Sequence, residues 1–248
     1  MAVPEMTAEL HWRSKRGRRT DDNWDYCGVG FRSEATLCVV LDGSSRKPKS
    51  GELVRLVAKD LIDWFVQTEG QVSSDEIIGQ MHIIHDARLP NLQQASASYL
   101  IMLITRYQAP IIFHAGDCLF GNVDTEGLIE WLMQPHTLAN ATCDLSIAKL
   151  VHSNIRNRLT RSLRANEFMT PEITTIPAKQ GETLIVATDG FWAGLNQEEQ
   201  RCFLVDEGCY EGDDLDDCSA LKITINDAVR KPHVTTTTPD NLYVVIST

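Results

Sequence analysis

The apolar positions change period several times along the chain, and each change predicts an element. "DYCGVGFRSEATLCVVLDG" reads as two β-rich segments broken by a turn near Ser33-Glu34. In residues 50–69, Leu53, Leu56, Val57, Leu61, Trp64 and Phe65 recur at helical spacing, which predicts an amphipathic helix with Ser50 as its N-cap. "SSDEIIGQMHIIHDARL" opens on a capping sequence and predicts a second helix. Two strands follow, over 98–107 and 110–115, joined as a hairpin at Gln108-Ala109. "GLIEWLMQ" predicts another strand, and 138–164 a largely helical, polar stretch. "GETLIVATDG" returns to strand, "NQEEQRCFLV" to helix, "SALKITINDAVR" to a last helix, and "NLYVVIST" to a last strand.

Strands thus arrive in hairpin-linked groups, with helices in pairs between them. That order predicts antiparallel sheets rather than a parallel βαβ alternation. The expected fold is α+β: a four-layer α-β-β-α sandwich of two mainly antiparallel sheets flanked by helix pairs. Nothing marks an internal boundary, so a single domain over 1–248 is expected.

Four predicted strands carry an aspartate at one tip. Asp42-Gly43 closes "LCVVLDG", Gly116-Asp117 follows "IIFHA", Asp189-Gly190 closes "LIVATDG", and Asp240 precedes "NLYVV". A lone Asp-Gly pair is common turn chemistry. Converging at one end of a sandwich, four such tips would form a carboxylate cluster suited to hard divalent cations.

Composition narrows the partners. The net charge of -11 argues against a nucleic-acid partner, whose phosphates recruit basic faces. One basic run, Arg13–Arg19 in "RSKRGRR", stands against that balance, as a local anion site or a solvated arm. Seven cysteines, an odd number with no C-x-x-C pair, fit reduced thiols better than a disulfide framework or a zinc site. No apolar run approaches the ~20 residues of a membrane span, and the first residues lack the apolar core of a secretory leader. A cytoplasmic monomer without membrane or nucleic-acid partners is expected.

Taken in order, these motifs resemble those of the PPM, or protein phosphatase 2C, family. The resemblance rests on an Arg ahead of "NWD" (Asn23-Trp24-Asp25), on Asp42-Gly43, on Gly116-Asp117-Cys118, on "TDGFW", and on Asp240-Asn241 before the last strand. It implies a compact bacterial-like Ser/Thr protein phosphatase using two Mn²⁺ or Mg²⁺ ions and in some members a third. By that resemblance Asp42 bridges both metals, the Gly43 carbonyl ligates the second, and Asp189 and Asp240 complete the first. Asp25 holds metal-bound waters, Asp117 serves the extra metal, and Arg19 grips the phosphate. The implied reaction is attack on a phosphoserine or phosphothreonine by a hydroxide bridging the metals. The implied partner is a phosphoprotein, made by an opposing Ser/Thr kinase. Residues 138–164 take the place of the family's flap.

The chain also departs from the family pattern. "DGSSRKPKSG" replaces a Gly- and His-containing turn, so the His proposed elsewhere as general acid is absent. Trp24 replaces the Glu of the triplet, "ASASY" replaces Gly-Thr-Thr, and Pro135-His136 replaces Asp-His. Two other readings therefore stay open: a pseudophosphatase that binds phosphoproteins, and a hydrolase of small phosphate esters. Arg16 and Arg18 compete with Arg19 for the phosphate. His82, His85, His114 and His136 are expected in core or surface roles.

Overall fold

The computed structural model describes residues 7–106, 108–177, 181–205, 215–226, 233–236 and 238–247. Its strands are β1 (Thr7–Lys15), β2 (Asp25–Phe31), β3 (Ala35–Gly43), β4 (Ser96–Thr105), β5 (Gln108–Ala115), β6 (Leu119–Val123), β7 (Ile129–Trp131), β8 (Leu163–Arg164), β9 (Glu172–Thr175), β10 (Thr183–Ala187), β11 (Cys218–Asn226), β12 (Val234–Thr236) and β13 (Leu242–Ile246). The α-helices are α1 (Ser50–Gln67), α2 (Ser74–Arg88), α3 (Ile147–Leu150), α4 (Asp189–Trp192) and α5 (Gln197–Val205).

Two sheets result. One runs β12-β1-β11-β10-β6-β7, the other β13-β2-β3-β4-β5-β9, with β8 attached to β4. All pairings are antiparallel except β1 with β12 and β2 with β13. Strand alternation explains the layers. Leu37, Val39 and Leu41 of β3 face α1 and α2, while Cys38 and Val40 face the other sheet. That two-sided burial is why "LCVVL" reads as an unbroken apolar run. Leu10 and Trp12 of β1, Leu184 and Val186 of β10, and Leu221, Ile223 and Ile225 of β11 fill the same inter-sheet core. Ile185 and Ala187 point outward, where Leu150, Phe191, Trp192, Phe203 and Leu204 cover them. The four-layer α+β sandwich is therefore present.

Helix α1 buries the apolar face read from its spacing, and α2 begins with a capping box between Ser73 and Glu76. Ser50 is not the N-cap of α1. Lys49 is, with a left-handed backbone (φ 63°), and the Ser50 hydroxyl instead donates to the Lys47 carbonyl at 2.9 Å.

Four further expectations need correction. Of residues 219–230, read as a helix, 219–226 belong to β11, where Leu221, Ile223 and Ile225 alternate with Lys222 and Thr224 at a strand period, and 227–230 lie outside the described residues. The start of the basic run is not a solvated arm but the end of β1. The stretch 138–164 contains a single 3-10 turn at Leu138–Asn140 and one turn of helix, α3, rather than a long helix. Among the described residues, the outer face of the first sheet is covered by the short α3, α4 and α5, a thinner helix layer than a pair of full helices. Among the described residues no helix is long and apolar enough to cross a membrane.

Candidate active site

The strand tips of both sheets meet at one end of the sandwich. Within the second sheet, Asp25 stands opposite Asp42 in the β2–β3 register, and Asp42 opposite Ser98 in the β3–β4 register. The Ser98 hydroxyl donates to Asp117 Oδ1 at 2.5 Å, across the turn after β5. From the first sheet come Asp189, just past β10, and Asp216-Asp217, just before β11. Thr188 ties the sheets together: its hydroxyl donates to Asp25 Oδ2 at 2.8 Å. Ser14 adds a second tie. Its oxygen accepts from Asn23 Nδ2 (2.7 Å) and Asn241 Nδ2 (2.6 Å), so its own proton goes to Ser219 Oγ, 2.6 Å away.

Glycines permit this crowding. A Cβ on Gly190 would lie 1.9 Å from the Asp217 carbonyl oxygen, so a glycine at 190 lets the residues leading into β11 pass close to the end of β10. Gly116 has φ 116°, and a Cβ there would fall 2.3 Å from Ser98 Oγ.

Above these tips lies a cavity of about 490 Å³. Asp42, Asp117, Asp189 and Asp216 line it, together with Arg19, Arg46, Lys47 and Arg164. The carboxylates act on one another. Burial, then the charge of Asp25, pushes Asp42 well above the usual carboxylate range. Burial and Asp189 push Asp117 up to about 7, and burial and Asp189 push Asp216 up to about 6. Behind them Asp25, fully buried, is raised by burial and by Asp217. Two guanidinium groups offset part of this charge. Arg156 Nη1 donates to Asp189 Oδ2 at 2.9 Å, with its guanidinium 5.9 Å from the Trp192 ring centre, and Arg19 donates to Asp216.

The family is decided by sequence. The model of the family described as "Protein phosphatase 2C" matches residues 13–209.

The chain belongs to the protein phosphatase 2C family.

Solved structures agree on the fold. The serine/threonine phosphatase of S. agalactiae superposes with a TM-score of 0.69 at 17% identity, over 88% of this chain and 99% of that one. Stp1 from Staphylococcus aureus gives 0.71 at 16%, over 91% and 98%. The catalytic domain of PstP, in complex with two manganese ions, gives 0.63 at 14%, over 89% and 99%. A sequence search of the curated proteins returns no match.

Against this family frame, Asp42, Asp117 and Asp189 line the cavity, with Asp25 directly behind. Gly43 continues from Asp42 and donates its N–H to the Trp24 carbonyl at 3.0 Å. Asp240 does not line the cavity. It is exposed in the 3-10 turn Pro239–Asn241, while its neighbour Asn241 turns inward to accept from Trp12 Nε1 at 3.1 Å. The aspartate that does enter the cavity ahead of a strand is Asp216, followed by Asp217, whose Oδ1 and Oδ2 accept from the Gly17 and Trp24 amides at 2.8 and 2.7 Å. Reading 219–230 as a helix hid this pair. The signal was there, since "DDCSALKITI" is an aspartate tip before a period-two run.

Of the basic run, only Arg19 lines the cavity. Arg13 is buried and donates to the Phe203 carbonyl at 2.6 Å, and Arg16 donates to the Asp21 carbonyl. His136 has a positioning role: its Nδ1 accepts from the Gly116 amide at 3.2 Å, so its Nε2 proton faces Glu172 Oε2 at 3.0 Å. Its ring stacks on buried His114, with centroids 4.4 Å apart. His85 is bonded to the Arg164 carbonyl, and His82 packs on Phe168.

Proposed function

We propose that this chain hydrolyses phosphoserine and phosphothreonine esters on proteins, with Mn²⁺ or Mg²⁺ held between the two sheets. Family membership supports the reaction class. The observation that carries the reading is the cavity floor: four aspartates from both sheets, of which Asp42, Asp117 and Asp216 are pushed towards protonation by burial and by neighbouring carboxylates. Such a set is short of positive charge and offers only oxygen donors, which fits Mg²⁺ or Mn²⁺ and not a soft metal. Among the described residues no group of three or more acidic, His or Cys side chains is already arranged to hold an ion. Ion binding therefore includes displacing Arg156 from Asp189 and Arg19 from Asp216.

In this reading Asp42, Asp189 and Asp216 hold two ions together with the Gly43 carbonyl, Asp117 holds a third, and Asp25 supports them from behind. Asp216 takes the place first given to Asp240. Bound divalent ions supply charge neutralisation and a water acidic enough to be ionised near neutral pH. The rest falls to the chain. Arg19, released from Asp216, binds two phosphoryl oxygens and orients the ester for in-line attack. Ser98 and the Gly116 turn fix the direction of Asp117. Asn157, Leu159 and Ser162 bring segment 138–164 up as one cavity wall, the flap's place. The turn after Gly43 contains no His, so the leaving oxygen takes its proton from solvent.

One observation favours a second reading. Arginines already sit against two of the four lining aspartates, as a non-catalytic phosphoprotein-binding module could keep them. Phosphopeptides, nucleotides and p-nitrophenyl phosphate, each assayed with Mn²⁺ and with chelator, separate the readings. Mn²⁺-dependent turnover favouring phosphopeptides supports the proposal. Phosphopeptide binding without turnover supports the second reading, and preference for nucleotides makes the chain a small-ester hydrolase.

A further inference from the structure

Resting on the phosphatase reading, the basic rim of the cavity says which phosphopeptides fit. The loop after β3 carries Arg46 and Lys47 to the cavity edge. Both are exposed, and among the described residues neither has an ion-pair partner. In a chain of net charge -11, two adjacent free cations beside an acidic floor run against the average.

The loop is held rather than loose. Ser44 N–H donates to the Ser96 carbonyl at 2.9 Å, Lys47 N–H to the Ser44 carbonyl at 3.0 Å, and Ser50 Oγ to the Lys47 carbonyl at 2.9 Å. The same Ser96 faces Arg164 in the β4–β8 register. Arg164 lines the cavity too; its guanidinium donates to Met169 Sδ at 3.3 Å and pairs loosely with Glu167 at 3.9 Å. Arg46, Lys47 and Arg164 thus gather around the first residue of β4. Two residues further along that strand, Ser98 stands opposite Asp42. Two strand residues span about 7 Å, the reach of an extended peptide over two residues.

We infer that Arg46, Lys47 and Arg164 form a subsite for a second anionic group, within about three residues of the phosphorylated one. The preferred substrates carry acidic or phosphorylated flanks. The chemistry is charge-assisted hydrogen bonding to a carboxylate or phosphate at the rim, whereas Arg19 addresses the phosphate undergoing hydrolysis.

The test compares three phosphothreonine peptides, with aspartate, phosphoserine or alanine two residues from the phosphothreonine. Each is read as kcat/KM with Mn²⁺ and, independently of turnover, as binding by fluorescence anisotropy. The wild-type protein is expected to favour the acidic peptides by about fivefold or more. The double variant Arg46→Ala/Lys47→Ala is expected to bring the ratio within about twofold, and Arg46→Glu/Lys47→Glu to invert it. A larger effect of phosphoserine than of aspartate marks a phosphate subsite; equal effects mark a carboxylate one. A wild-type ratio near one, or a ratio unchanged in both variants, overturns the inference. Hydrolysis of p-nitrophenyl phosphate by the wild-type protein reports on the phosphatase reading separately. If that hydrolysis is absent, the binding arm alone decides the rim.

Discussion

Asp216 and Asp240 each precede a strand, yet only Asp216 reaches the cavity. Asp216→Asn is therefore expected to lower Mn²⁺-dependent kcat/KM by about 100-fold, the scale of losses at metal sites, and Asp240→Asn to leave it within about twofold. Steady-state kinetics on one phosphopeptide checks both, and the opposite ranking would restore Asp240 to the site. Arginines divide in the same way. Arg19→Ala is expected to raise KM at least tenfold, from the loss of a contact worth about 1.5–3 kcal/mol. Arg13→Ala should act on folding, because Arg13 satisfies the Phe203 carbonyl from a buried position; a loss of about 1–3 kcal/mol in denaturant unfolding is expected, with KM little changed. At this scale the sequence was partly readable. Asp42, Asp117 and Asp189 stand out because the same pairing of aspartate with glycine recurs at the ends of three apolar runs, which a single turn would not signal. Arg19 could not be told from Arg16 or Arg18, because a run of cations carries no register until β1 fixes which one faces the cavity.

The elements explain the other gaps. Strand β11 was misread because Ala, Leu and Lys all favour helices, while the alternation of Leu221, Ile223 and Ile225 that marks a strand spans only five residues. Its place between β1 and β10 decides the matter, since a central strand gains hydrogen bonds on both sides that propensity does not count. The stretch 138–164 was misread for a related reason. Its polar residues satisfy helical composition but bury few apolar side chains, and short helices without packing do not hold. The entry of β11 past α4 is a tight fit between elements. Gly190→Ala would place a methyl on the Asp217 carbonyl, and is expected to cost about 1–3 kcal/mol in thermal or denaturant unfolding and to weaken Mn²⁺ binding. Gly79→Ala, on an open face of α2, serves as the control and should be neutral or slightly stabilising. A Gly190→Ala protein with unchanged stability and cation affinity would mean that β11 has room to shift.

For the whole molecule the acidic cluster sets a balance between stability and function. Asp117 has a folded pKa of about 7, raised from the usual value near 3.8 by burial and Asp189. A raised carboxyl favours the folded state below the unfolded pKa, and that advantage is lost as pH rises through about 7. Asn mimics the protonated carboxyl. In metal-free protein, Asp117→Asn should therefore match the wild type near pH 4 and become more stable with rising pH, by on the order of 1–4 kcal/mol at pH 8. Unfolding curves across that range check the sign, and a variant less stable at pH 8 would contradict it. The central claim of the proposed function is that the same repulsion suits the cavity to cations. Its most direct test is calorimetric titration of Mn²⁺ into the wild-type protein and into Asp42→Asn at neutral pH. The account predicts at least two ions bound by the wild type and loss of tight binding in the variant. A wild-type protein that binds no Mn²⁺, with Arg156 and Arg19 keeping their carboxylates, would contradict it.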